Sequence, residues 1–136
     1  MTIEESIVRN GFHLSTVVGD SMMPLLRQGK DLVKVVPLTK PLEKYDIVLF
    51  KRPTGEYVLH RIVKAKSDYY VICGDNRFLR EKIPFNWIVG VAESVFIDNE
   101  EVQMSDERQL NYAKKICGSF WSRRIKTKIK RILQHR

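Results

Sequence analysis

The run Asp46-Ile47-Val48-Leu49-Phe50-Lys51, the turn Pro53-Thr54-Gly55-Glu56 and the return from Tyr57 to Lys66 decide the fold class. The first run is apolar and rich in β-branched and aromatic residues, which suit a pleated, covered surface. Its turn holds Pro, with a preset φ, and Gly, which accepts positive φ. Side chains alternate along a strand, so Val58, His60 and Ile62 share one face of the return, and Leu59, Arg61 and Val63 the other. An imidazole is thereby aimed at a packed or partly covered side.

Outward from this hairpin, Phe12 to Val18, Asp31 to Val36, Tyr69 to Cys73 and Trp87 to Ile97 read as further strands. Gln28-Gly29-Lys30, Ser67-Asp68 and Asp98 to Glu101 read as turns, and Arg77 to Asn86 as a polar loop. Pro37 and Pro41 bracket a loop that cannot join a central ladder. Residues 2–10 read as a short helix stopped by Asn10-Gly11. Short strands with frequent turns predict a mainly β fold, two antiparallel sheets forming a sandwich or coiled barrel. From Asp106 onward Ile116, Phe120, Trp121, Ile125, Ile129, Ile132 and Leu133 recur at helical spacing among Lys and Arg. The expected division is a β-rich domain over 1–104 and a basic amphipathic helical tail over 105–136, with Gly118-Ser119 as a break point in the helix.

The 136 residues suffice for one core, and 43% apolar with 29% charged residues describes a soluble, globular composition. The net charge of +8 is uneven: residues 108–136 hold ten Lys or Arg and no acid, and the remainder is slightly acidic. A basic amphipathic helix bearing Phe120 and Trp121 suits peripheral contact with an anionic membrane through residues 108–136. No base-reading fold accompanies the basic tail, which disfavours nucleic acid. No apolar run approaches the ~20 residues of a membrane span, and the acidic start Glu4-Glu5 is unlike a secretion signal. The expected location is cytoplasmic or peripheral at a membrane. Cys73 and Cys117 lack metal-type spacing and read as thiols of a reducing compartment; neither a metal nor a cofactor is called for.

Gly19-Asp20-Ser21-Met22-Met23-Pro24 carries the chemistry. Gly19 tolerates angles that a sharp turn needs, and Pro24 fixes its own φ and restrains Met23. Such a turn presents Ser21. A serine hydroxyl needs a base to take its proton and donors to hold an oxyanion. His60 is the candidate base, its ordinary pKa of ~6.5 being suited to proton transfer near neutrality. On that basis activity should fall on acidification through ~6.5. His13 reads as an edge or surface histidine.

Taken together, Ser21-Met22-Met23-Pro24, Asp46-Ile47-Val48, Leu59-His60-Arg61 and Gly74-Asp75-Asn76 resemble, in order and spacing, the signal peptidase I family of serine peptidases over about Val18 to Val91. Bacterial members usually carry lysine where this chain has His60, and forms of the ER and archaeal type carry histidine. The resemblance implies a β fold of the signal peptidase type. It implies Ser21 as nucleophile, with its N–H in the oxyanion hole, and His60 as base. Met22 and Pro24 become substrate contacts. The partner becomes a signal or leader peptide of a preprotein, bound as an added strand. Asp75, in the family's Gly-Asp-Asn, would orient the imidazole or brace the loop. Glu81, six positions on, stands where members carry Asp and would serve as an alternative orienter. Departures are Tyr45 in place of a family glycine, one extra residue at Gly29-Lys30-Asp31, and the lack of an N-terminal membrane anchor. The alternative is a non-catalytic or self-cleaving domain like those of SOS repressors, which pair serine with lysine. Here the nearest lysine, Lys64, is four residues past His60.

Overall fold

The computed structural model describes residues 2–118, so the helical reading of the tail beyond Gly118 lies outside the described residues. The order is α1 (Ile3–Asn10), β1 (His13–Thr16), β2 (Leu32–Val36), β3 (Ile47–Lys51), β4 (Tyr57–Ala65), β5 (Tyr69–Cys73), β6 (Glu81–Pro84), one 3-10 turn (Phe85–Trp87), β7 (Ile88–Ile97), β8 (Glu100–Gln103) and α2 (Glu107–Gly118). The Thr2 hydroxyl caps α1 by accepting from the Glu5 N–H, and Gly11, at φ +81°, ends it.

The expected pair of sheets is corrected to a single antiparallel sheet, curled into a half barrel, in the order β1-β2-β7-β3-β4-β5-β6, with β8 also on β7. The reason lies in β7. At ten residues it is long enough to hold β2 against one stretch and β3 against another, joining what would otherwise be two halves. Register shifts at Lys34/Val35, Leu49/Phe50 and Ile62/Lys64 break the ladder regularly, and such bulges add twist and bend. The curl covers both faces of β3. Ile47 and Leu49 enter one core with Val33, Val35, Met22 and Ile7, while Val48 and Phe50 enter another with Ile62, Ile72 and Ile83.

Two expectations missed short edge strands. The polar stretch after Asn76 contains β6, paired with β5 and anchored by Ile83, which is 1% exposed. Its neighbours Glu81 and Lys82 hid that single apolar position. The turn expected over Asp98 to Glu101 is tighter: Asp98 and Asn99 both take positive φ, and the chain returns at once as β8.

α2 is seated on the β domain. Ala113 is fully buried, Cys117 packs near Val63 and Cys73, and the Tyr112 ring lies 5.8 Å from the Arg61 guanidinium. No helix among the described residues is long and apolar enough to cross a membrane.

Gly90 in β7 has no room for a side chain: a Cβ there would lie 2.6 Å from Val35 Cγ1 and 2.8 Å from the Val36 carbonyl oxygen. Backbone cannot yield as a side-chain tip can. Gly90→Ala should therefore lower unfolding stability by about 1–3 kcal/mol, read as a reduced denaturation midpoint at unchanged slope.

Candidate active site

Ser21 sits half-buried in a turn that follows Gly19, whose φ is +78°. The turn closes by Met23 N–H to the Asp20 carbonyl (3.1 Å) and Leu26 N–H to the Met22 carbonyl (3.0 Å). Met22 and Leu26 are its apolar roots, both essentially inaccessible. Its exit is fixed by the buried Asp31 carboxylate, which accepts from the Arg27 N–H at 2.7 Å and from the Arg27 guanidinium at 2.8 and 3.0 Å.

A second loop, 53 or more residues downstream, stitches onto this turn. Asn76 N–H donates to the Ser21 carbonyl (2.8 Å) and Asn76 Nδ2 to the Asp20 carbonyl (3.1 Å). Arg77 pairs with the Asp20 carboxylate, and Asp75 N–H points to Met22 Sδ at 3.4 Å. Gly74 is the point of closest approach. A Cβ there would lie 2.8 Å from the Ser21 carbonyl oxygen and 3.2 Å from both Cδ2 and Nε2 of His60. The Ser21 turn and the imidazole edge thus flank one glycine. In the sequence Gly74 stands out only as part of Gly-Asp-Asn; its lack of a side chain is what lets the two segments meet.

Ser21 and His60 line one cavity of about 690 Å³. Met22 borders it from the core. Pro24 is exposed and is not among the lining residues, so of the two expected substrate contacts only Met22 is so placed. Among the described residues no lysine lines the cavity, and Lys64 is exposed on β4. Among the described residues no hydrogen bond engages the Ser21 hydroxyl or the Ser21 N–H.

His60 stands edge-on to the Phe50 ring, with centroids 6.0 Å apart. Burial pushes its pKa down to about 4; the Glu81 charge opposes this, Arg52 and Arg77 reinforce it, and Asp75 opposes it less than Glu81. Its Nδ1 is buried with no hydrogen-bond partner among the described residues. The two acids expected as orienters are both turned to arginines. Asp75, 3% exposed, receives Arg61 Nε at 2.8 Å and Nη2 at 2.9 Å, and Arg61 Nη1 also donates to the Tyr45 carbonyl. Glu81 receives Arg52 Nη1 at 2.7 Å and Nη2 at 3.0 Å, which holds its carboxyl below the usual range. The Asp75 carboxylate thus ties its loop to β4, and the Glu81 charge works against the lowering of the His60 pKa by burial. His13 binds Ser6 Oγ through Nδ1 at 3.2 Å and borders the same cavity. Among the described residues no cluster of His, Cys, Asp and Glu could hold a metal ion.

No protein-family model matches the chain, and no curated protein matches it either.

The buried imidazole makes stability depend on pH. Unfolded, His60 takes a proton below ~6.5; folded, it resists until about 4. The unfolded chain then holds the extra proton, so stability present above ~6.5 is lost as the pH falls toward 4, by roughly 3 kcal/mol. Urea titrations across that range should show this slope, and His60→Gln should flatten it.

Proposed function

We propose that the chain is a serine endopeptidase with a fold of the signal peptidase type, cleaving signal or leader peptides with Ser21 as nucleophile and His60 as base. The observation that carries the reading is the meeting at Gly74, where the Ser21 carbonyl and His60 Nε2 both come within about 3 Å of the space a side chain would fill, while Ser21 and His60 line one cavity. Tyr45 adds support. It takes φ +83° at the position where the resembled family has glycine, so the unusual backbone persists although the residue differs.

In this mechanism the neutral imidazole accepts the Ser21 hydroxyl proton at Nε2 as Oγ attacks the scissile carbonyl. The Ser21 N–H, uncommitted among the described residues, donates to the oxyanion that forms. The protonated imidazole gives its proton to the departing amine, leaving an acyl-serine. A water deprotonated by His60 then attacks the ester, and the acid and the serine are released. The imidazolium is the costly species in so apolar a site. The Glu81 charge offsets part of that cost, which gives this acid a role without direct contact. A Ser-Lys pair of the SOS-repressor kind has no lysine to draw on in the cavity among the described residues.

The peptide would lie as an added strand beside β1, which among the described residues is an edge strand paired with β2 alone. The basic segment 108–136 is assigned to peripheral contact with anionic lipid, placing the protease near membrane-borne precursors.

Ser21→Ala and His60→Ala should each abolish cleavage of a signal-like peptide by the purified chain, at least about a hundredfold; cleavage that survives either change removes that residue from its role. The acid limb of kcat/KM should lie near the lowered pKa of about 4, not at the ~6.5 expected from sequence, because burial keeps the base neutral as the pH falls. Sedimentation with phosphatidylserine vesicles should decline when residues 119–136 are removed and with added salt; equal binding excludes the lipid contact.

A further inference from the structure

α1 takes no part in the chemistry just described, yet it reaches the cavity. Ile3, in its first turn, lines the same space as Ser21 and His60. Three attachments fix the helix there. Ile7 is buried in the first core. Glu4 accepts a hydrogen bond from the Tyr57 hydroxyl and pairs with Lys51 Nζ at 3.4 Å. Ser6 Oγ binds His13 Nδ1 at 3.2 Å. Tyr57 and His13 themselves border the cavity, so two of these attachments are made at its wall.

The long wall is the stretch from His13 to Gly19, which ends at the nucleophile turn. Its first four residues are β1 and Gly19 bends away, so at ~3.3 Å per extended residue it spans at most about 20 Å, room for no more than about six residues of a strand laid beside it. At the far end, where His13 holds Ser6, the path meets α1. A strand continuing in the same direction would run into the helix.

We propose that α1 is the end wall of the peptide groove, and that it sets the number of substrate residues read on the β1 side of the scissile bond at about six. This rests on the peptidase reading above. Ile3 is the residue that meets the deepest side chain, and with Leu14, Leu49 and Leu59 along the cavity it makes that position apolar. The substrate class is an extended apolar segment of limited reach. A longer chain must turn outward at the helix or displace it. Glu4, Tyr57, Ser6 and His13 are positioning residues that hold the wall, and Ile3 is the specificity determinant.

The test measures binding apart from catalysis. Full-length Ser21→Ala chain is titrated with fluorescein-labelled Ala/Leu peptides, extended one residue at a time from either end, and Kd is read by anisotropy. In one series affinity should improve up to about six residues and then stop. Adding Glu4→Gln with Tyr57→Phe cuts the latch and leaves Ile7 in the core; binding of the longest peptides should then tighten about tenfold, with the short ones unchanged. Adding Ile3→Trp instead pushes the wall inward, and affinity should stop improving at a shorter length. The same length profile in all three proteins overturns the inference alone. Failure of every peptide to bind overturns the peptide-groove reading, and the inference with it.

Discussion

The buried pair of Arg61 and Asp75 is the constraint on which the site depends. Two charges removed from water cost several kcal/mol each unless their hydrogen-bonding capacity is met. Here the guanidinium gives two parallel bonds to the carboxylate and a third to the Tyr45 carbonyl. The pair spans from the middle of β4 to the loop after β5. It therefore fixes the loop carrying Gly74 and Asn76 relative to the strand carrying His60. Asn76 in turn holds the Ser21 carbonyl. One electrostatic contact, in a place where a lone charge would be intolerable, aligns three segments far apart in sequence.

The same arrangement explains why His60 stands without an acid on its Nδ1 among the described residues. Each nearby carboxylate is already held by an arginine, Asp75 by Arg61 and Glu81 by Arg52. What surrounds the imidazole instead is apolar burial, an aromatic edge from Phe50, and a carboxylate acting at a distance. An imidazole so placed stays neutral over a wide pH range.

Much of this was legible in the sequence, for physical reasons. The β3–β4 hairpin was readable because Ile47 to Phe50 are apolar without interruption and Gly55 marks the turn. The placing of His60 on a covered face followed from the period of two. α1 was readable from Asn10-Gly11 at its end. β6 was not, because only Ile83 among its four residues faces the core, and one residue makes no pattern. The single curled sheet was not legible either, since it depends on β7 pairing on both sides, and strand composition does not encode partners. The roles of Asp75 and Glu81 were left open in sequence for the same reason: Arg61 and Arg52, far off in the chain, decide which way each carboxylate turns. Local residues announce what can be built, and distant ones settle which option is taken.

α2 adds an ordering in time. The Tyr112 ring covers Arg61, and Ala113 is sealed against the β domain, so the roof over the ion pair comes from the last part of the described chain to be synthesised. On a ribosome, strands β1 to β8 emerge with the Arg61 and Asp75 charges still open to water on that side. The ion pair acquires this cover only once α2 is free of the ribosome. The brace on the loop of Gly74 and Asn76 is thus completed last, from the far end of the described chain.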